Sequence, residues 1–198
     1  MKEEIPTIKV PEKLTHDCEN CQGLCCMAHK HRRADGFPIS TDKPAGLPCS
    51  HLVTEPKEDQ KIYTCNIYGS LKDDGWKVCP EFTCNGAGQA VTAFFKELGV
   101  SWAEEKPEQH SEYEWKILKI NQRYAYQTMQ SVFRLLYAVE QTQGEEAYKA
   151  ARNAVEKVAV DFSNFLRSTN QEIDPNYWVY DRFDPEVRKA VLPLLKRP

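Results

Sequence analysis

Residues 18–26 read CENCQGLCC, and this stretch decides how the first half of the chain folds. Two cysteines with two residues between them on a tight turn, as at Cys18 and Cys21, can direct both sulfurs at one tetrahedral metal ion. Two adjacent cysteines follow at once, and four more precede residue 85. We therefore predict that all the cysteines of the chain are metal ligands: Cys18, Cys21, Cys25, Cys26, Cys49, Cys65, Cys79 and Cys84.

The adjacent pair Cys25 and Cys26 bears on the number of ions. Neighbouring side chains project in different directions in most backbone conformations, so we expect these thiols to serve different ions or different corners of one cluster. Eight thiols would satisfy two four-sulfur sites, or one site with cysteines left over. Spacing alone leaves both arrangements open.

The identity of the metal is less constrained than its ligands. Thiolates suit both zinc and iron–sulfur clusters. The ferredoxin-type run, with two residues between each of three successive cysteines, is absent because Gln22-Gly23-Leu24 separates the second cysteine from the third. We prefer zinc, with iron or an iron–sulfur cluster as the alternative.

Disulfide bonds are another use of eight cysteines, since an even count permits a disulfide framework in a secreted protein. The N-terminus has early acidic residues and a proline, and no apolar run of signal-peptide length follows them. We therefore expect a cytoplasmic protein whose thiols stay reduced. In a reducing compartment this cysteine spacing favours metal binding over disulfides.

Nearby basic residues could assist a metal site. A four-thiolate zinc site carries two net negative charges, which the run His29–Arg33 could offset, although the same run could lie solvated on the surface. His51, two residues after Cys49, could replace one sulfur as a ligand. An ordinary loop histidine is the preferred interpretation of His51.

The cysteine order also resembles a known family. Cys18-x-x-Cys21-x-x-x-Cys25-Cys26, then Cys49 with Leu52, Cys65-Asn66-Ile67-Tyr68 and Cys79-Pro80, is similar to the zinc- or iron-chelating CxxCxxCC cysteine-cluster family. The likeness covers about the first 90 residues and implies a bacterial protein that binds zinc or iron. This chain has three residues before the double cysteine where the family name has two.

A second likeness is to the cysteine-rich leader of some bacterial pentapeptide-repeat proteins, through residues 42–49 and 84–89, although no such repeats follow here. Some relatives are associated with protein lysine methylation. The chain lacks the glycine-rich strand and turn that a methyltransferase cofactor would need, so we do not extend that activity to it.

Composition changes sharply after Cys84, since no cysteine follows it and seven of the nine glycines precede residue 90. A loop-rich segment with little apolar core relies on cross-links. We divide the chain into an N-terminal extension (1–15), a cysteine-rich metal-binding module (16–90), a helical domain (91–170) and a C-terminal segment with a short helix (171–198). The predicted fold is mainly α: a small irregular module followed by an antiparallel helical hairpin or small bundle.

Heptad-like spacing predicts the helices of the second half. The first apolar stripe comprises Leu118, Ala125, Met129, Val132, Leu136 and Val139. The second comprises Ala147, Ala151, Ala154, Val158, Phe162 and Phe165. We expect Thr142 to cap the second helix, with Glu145 completing a capping box. A shorter helix is expected from about Gly88 to Leu98. Further helices should start at Asp174-Pro175 and Asp184-Pro185, and Pro193 should end the last of them.

The net charge of the chain does not indicate a particular binding partner. The chain has 26 Lys plus Arg against 29 Asp plus Glu and a pI near 6.0, which gives no general attraction to nucleic acid or anionic membranes. Its apolar runs are far shorter than the roughly 18 residues needed to cross a bilayer. A protein partner bound through the helical part is the remaining expectation.

Three functional hypotheses follow. The first is a zinc-stabilised binding or scaffold protein, and the second is an iron–sulfur protein in electron transfer or iron sensing. The third is a thiol enzyme, because Cys84 precedes a predicted helix start and a helix N-terminus lowers a thiol's pKa. Phosphate-loop, dinucleotide-binding and nucleophile-turn motifs are absent from the sequence, and we favour the first hypothesis.

Overall fold

The computed structural model describes residues 5–57, 60–168 and Lys189. Within residues 5–57 and 60–168, four α-helices and one antiparallel β-hairpin are joined by loops with three short 3₁₀ helices. The elements are α1 (Leu24–Ala28), β1 (Leu52–Lys57), β2 (Gln60–Cys65), α2 (Ala87–Glu97), α3 (Glu112–Thr142) and α4 (Glu145–Ser168). The mainly helical fold is confirmed, and the predicted C-terminal helix starts and the stop at Pro193 lie outside the described residues.

The long helices form as their apolar spacing predicts. The short helix expected near Gly88–Leu98 is α2, and the two long stripes form α3 and α4, which pack against each other across a two-residue connection. A capping box starts α3: the Glu114 N–H donates to Ser111 Oγ at 3.2 Å, and the Ser111 N–H donates to Glu114 Oε2 at 2.8 Å. These two bonds satisfy amide groups that the first turn would otherwise leave unpaired.

Two details of the helical prediction are wrong. Thr142 does not cap α4, because it is the last residue of α3 and its hydroxyl donates back to the Ala138 carbonyl at 2.6 Å. The most buried stripe of α4 is displaced from the predicted one, since Ala154 and Val158 are only half-buried. The buried apolar positions of α4 are Ala151, Val155, Ala159, Phe162 and Leu166.

The main apolar core joins residues from before and after residue 90. Leu24 and Met27 of α1 pack in the same core as Phe94 of α2 and Met129 of α3. Burying these side chains stabilises both parts of the chain together, at about 1.5–3 kcal/mol for each fully buried side chain.

The N-terminal stretch also packs on this core. Ile8, Val10 and Leu14 are buried, and the Ile8 N–H donates to Ser163 Oγ of α4 at 2.8 Å. Arg152 of α4 donates to the carbonyl of Val10 at 2.9 Å. The extended chain before the cysteines is thus fastened along α4.

A second, smaller core lies beside the β-hairpin. Cys49, Leu71 and Trp76 are its buried residues, and Leu52 of β1 packs against them. The antiparallel register pairs Leu52 with Cys65, which brings the end of β2 to this core. No helix in the described part of the chain is both long and apolar enough to cross a membrane.

Candidate metal centre

Helix α1 places Cys25 and Cys26 between the two cores. Its start is fixed by Gly23, whose φ of 64° lies in the left-handed region that glycine adopts without strain. Cys25 packs against the main core and Cys26 against the second core, with their sulfurs 3.8 Å apart. Successive residues of one short helix therefore face two different surroundings.

On the main-core side, Cys21 and Cys84 lie on either side of the first turn of α2. A Cβ added to Gly88 would lie 2.7 Å from Cys21 Sγ and 3.5 Å from Cys84 Sγ. Cys18 is joined to Cys21 by a turn in which the Cys21 N–H donates to the Cys18 carbonyl at 3.4 Å. We call Cys18, Cys21, Cys25 and Cys84 the inner set.

On the hairpin side, backbone hydrogen bonds bring the other cysteines together. The Cys49 N–H donates to the Cys26 carbonyl at 3.1 Å, and the Leu52 N–H donates to the Cys49 carbonyl at 3.0 Å. Cys65 stands opposite Leu52 in the hairpin, and Cys79 packs on the same small core. We call Cys26, Cys49, Cys65 and Cys79 the hairpin set.

Backbone amides point at several of these sulfurs. The N–H of Leu24 donates to Cys21, the N–H groups of Gly86 and Gly88 donate to Cys84, and each bond lowers the pKa of its thiol. The N–H of Ile67 does the same for Cys65. Amide hydrogen bonds favour the ionised form of a thiol, which is the form that binds metal.

Burial nevertheless raises the pKa of several of these thiols and so opposes their ionisation. Desolvation, together with the charges of neighbouring thiols, raises the pKa of Cys21 to about 12 and that of Cys79 to about 11. The sulfur of Cys18, the exposed member of the inner set, is desolvated enough to raise its pKa to about 11. For Cys25 the hydrogen bond with Cys26 is the largest cause, and burial adds to it, so its pKa lies well above the usual value.

Lys43 supplies the positive charge beside the thiols. Its Nζ donates to the backbone carbonyls of His29 at 2.5 Å and Leu47 at 2.7 Å, which hold the ammonium in place. Burial lowers the pKa of Lys43, while the negative charges of Cys49, Cys26 and Cys25 raise it. The ammonium is thus close enough to three thiols to offset charge that develops on them.

The basic run His29–Arg33 was a candidate for offsetting thiolate charge, but its histidines and Arg32 have other roles in the structure. Burial, followed by the charge of Lys43, lowers the pKa of His29 and brings that of His31 to about 4, so both rings are uncharged at neutral pH. Arg32 forms an ion pair with Asp35 at 2.7 Å. His31 is buried and Arg32 is paired with Asp35, whereas the charges of Cys49, Cys26 and Cys25 act on Lys43.

Tyr126 of α3 brings a buried hydroxyl group to the inner set. The side chain has 0% exposure, and its hydroxyl finds no hydrogen-bond partner within the described residues. Burial raises the pKa of Tyr126 well above its usual value, and the charges of Cys25, Cys84, Cys21 and Cys26, in that order, raise it further. A buried hydroxyl without an acceptor is costly, so this group is poised to donate to a nearby thiolate.

His51 lies at the edge of the hairpin set. Its Nδ1 is 3.3 Å from Asn66 Oδ1, and its ring meets the edge of Trp76 at a centroid distance of 5.3 Å. An open cleft of about 350 Å³ is lined by His31, Lys43, Cys49 and His51, among others. Through Cys49, the cleft borders the hairpin set.

All eight cysteines lie in the described part of the chain and are free thiols. Within that part, no three or more His, Cys, Asp or Glu side chains already form a group that could hold a metal ion.

Comparison with known proteins adds one relative. The chain is 36% identical over 89 residues to the uncharacterized protein YybG of Bacillus subtilis (strain 168). The similarity covers 45% of this chain and 28% of YybG, so the chain spans less than a third of that relative. No protein-family profile matches the chain. No solved structure matches it either.

Three residues of the site were not identified from the sequence. Lys43 is seventeen positions from Cys26, and no sequence motif identifies it as a residue near the thiols. It does lie in the Asp42–Cys49 stretch that resembles other cysteine-rich leaders. Gly88 is predicted only as the approximate start of the short helix, and the sequence does not indicate that two sulfurs lie beside it. Tyr126 is one of several helix aromatics, and only the tertiary packing separates it from the rest.

Proposed function

We propose that this protein binds zinc through its clustered cysteine thiolates and that the bound metal stabilises a structural or interaction module. The observation that carries the proposal is the gathering of eight free cysteines, drawn from residues 18–84, around the two-sided helix α1. Thiolates are preferred zinc ligands, and four of them complete a closed structural site.

The surroundings of the thiols fit a bound cation. Lys43 and the amides of Leu24, Gly86 and Gly88 stabilise negative charge on sulfur. The hydroxyl of Tyr126 lacks an acceptor that a thiolate would provide. Because burial raises the pKa values of Cys18, Cys21 and Cys79 when no metal is bound, zinc binding should release protons from these thiols and grow stronger as the pH rises.

A structural role follows from where the thiols lie. They are drawn from the loop before α1, from α1 itself, from the β-hairpin and its flanking loops, and from the loop that leads into α2. Structural zinc in small modules contributes about 10–16 kcal/mol of apparent binding energy, which becomes folding energy. Zinc would hold these segments against the helices.

The helical hairpin is the proposed surface for a protein partner. Tyr137 of α3 and Val160 of α4 are exposed large apolar side chains of this hairpin, at 39% and 41% exposure. The zinc module would then fix the orientation of this surface without taking part in the contact.

A thiol enzyme is less well supported. A nucleophilic cysteine needs a lowered pKa, yet burial raises the pKa of Cys84 even though the amides of Gly88 and Gly86 oppose that change. Cys84 is therefore suited to a metal ligand and not to a free nucleophile.

A competition titration tests the proposal. Protein purified anaerobically with reductant is titrated with zinc against a chromophoric chelator, and its visible spectrum is recorded. We expect tight binding by a colourless protein. Sulfur-to-iron charge-transfer absorption in the purified protein would indicate an iron–sulfur cluster in place of zinc. A protein that binds neither metal would contradict the proposal.

A further inference from the structure

We infer that the eight cysteines form two separate four-thiolate sites: the inner set, Cys18, Cys21, Cys25 and Cys84, holds one ion, and the hairpin set, Cys26, Cys49, Cys65 and Cys79, holds a second. This inference rests on the proposed metal-binding function but assigns what that function leaves open, namely the number of ions and the sulfurs that share each.

The apolar surroundings divide the cysteines first. Cys84, Cys21 and Cys25 belong to the main core with the helices, whereas Cys49, Cys26, Cys65 and Cys79 belong to the small core around Trp76. The division passes between the adjacent residues Cys25 and Cys26.

Local geometry gives the same division for the inner set. Both Cys21 Sγ and Cys84 Sγ lie within 3.5 Å of the point where a Cβ of Gly88 would stand, so the two sulfurs are neighbours. Cys18 is tied to Cys21 by its turn, and Cys25 and Cys84 are the thiols that act on it most strongly. These contacts link Cys18 and Cys84 to Cys21, and the main core adds Cys25 to them.

The hairpin set is assembled by backbone bonds. The Cys49 N–H is bound to the Cys26 carbonyl, and the turn from Cys49 to Leu52 places Cys49 beside Cys65 across the hairpin register. The charges of Cys25, Cys49 and Cys65, in that order, act on Cys79, so two of these three thiols belong to the hairpin set and the strongest belongs to the inner set. Each of the three cysteines after residue 30 in this set is therefore linked to another member.

The contact between Cys25 and Cys26 makes the two sites neighbours. Their sulfurs are 3.8 Å apart, which is about the sulfur separation at one zinc ion with bonds of about 2.3 Å. A single ion shared by both is therefore the principal alternative arrangement. Their opposite surroundings favour separate ions, because the remaining ligands within reach lie on different sides of α1.

Four serine substitutions, paired in two ways, test the assignment. Cys25→Ser with Cys84→Ser, and Cys26→Ser with Cys65→Ser, each damage one proposed site. Cys25→Ser with Cys65→Ser, and Cys26→Ser with Cys84→Ser, damage both sites with the same four substitutions. Zinc per chain is measured after challenge with a chelator strong enough to strip a three-cysteine site but not an intact one.

We expect two ions in the unsubstituted chain, one in each same-site pair and none in each cross-site pair. Equal zinc in the two kinds of pair would overturn the assignment while leaving metal binding intact. Absence of zinc from the unsubstituted chain would instead overturn the proposed function. Cadmium NMR of the unsubstituted chain does not depend on the variants folding: two four-thiolate signals support the assignment, and one signal contradicts it.

Discussion

At the scale of single residues, Tyr126 links the helical core to the thiols. A buried hydroxyl without a partner costs about 1–3 kcal/mol, and a metal-bound thiolate is a good acceptor for it. Groups that hydrogen-bond to metal ligands commonly change metal affinity by about 10–100-fold. The hydroxyl should therefore have opposite effects in the metal-free and the metal-bound protein.

Tyr126→Phe is expected to weaken zinc binding about tenfold while leaving the metal-free protein as stable as before or more stable. Chelator competition measures the affinity, and denaturant unfolding measures the stability. Tyr137→Phe, on the same helix but 39% exposed, is the matched control and should change neither. Equal zinc affinity for Tyr126→Phe and the unsubstituted chain would remove the hydroxyl from the site.

Lys43 gives a second residue-scale prediction. Lys43→Met removes the ammonium on which the charges of Cys49, Cys26 and Cys25 act. Zinc affinity should therefore fall about fivefold, which corresponds to about 1 kcal/mol of charge interaction. Arg32→Met is the control, because Arg32 is paired with Asp35. If the two variants lose affinity equally, the cation near the thiols has been misassigned.

At the scale of elements, the first turn of α2 makes room for two sulfurs. Replacing a helical glycine with alanine ordinarily stabilises a helix by about 1 kcal/mol. Gly88→Ala should do the opposite, because the new Cβ would lie 2.7 Å from Cys21 Sγ. We expect this variant to retain one zinc ion, in the hairpin set. Gly144→Ala meets no atom within 4 Å and should retain two.

The helices were predictable because their apolar residues repeat locally. Ala125, Val132 and Val139 are buried as their seven-residue spacing predicts, and α2 begins within one residue of the expected start. The cap at Thr142 was not predictable in this way, because a hydroxyl in the last turn has a competing acceptor in the Ala138 carbonyl.

The β-hairpin was missed because its strands are short and mixed in character. β1 contains Glu55 and Pro56, and only the Ile62-Tyr63-Thr64 part of β2 has typical strand residues. The eight cysteines of the candidate site stand out in the sequence, but their proposed division into two sets does not. Cys84 joins Cys21 through packing against Gly88, a contact between residues far apart in sequence.

At the scale of the whole molecule, the thiols and the helices share one core. Leu24, Met27 and Ala28 of α1 pack with α2 and α3. Loss of the metal should therefore destabilise the helices as well as the cysteine-rich part, in contrast to what a boundary near residue 90 would imply.

Removing zinc with a chelator should lower the thermal midpoint of the helical circular dichroism signal in one cooperative transition. We expect a decrease of about 10 °C or more, since each kcal/mol corresponds to about 2–4 °C for a chain of this size. The control is the same protein treated with chelator that is already saturated with zinc and therefore cannot remove the metal. An unchanged midpoint would show that the metal does not support the shared core.

The pH dependence of stability should change sign with metal. In the metal-free protein, folding raises the pKa values of Cys18 and Cys79 from 9.0 to about 11 and that of Cys21 to about 12. Above pH 9 the unfolded state thus binds fewer protons, so stability should fall as the pH rises towards 12. Zinc-loaded protein has ionised thiols and should lose stability on acidification instead. Denaturant midpoints across pH measure both trends, and parallel trends would contradict this description.

Elemental analysis of the full chain, purified under anaerobic reducing conditions and dialysed without chelator, tests the central claim most directly. Two zinc ions per chain are predicted, one for each set of four cysteines. A chain that is folded under these conditions and contains neither zinc nor iron would contradict the claim that these eight thiols form a metal centre.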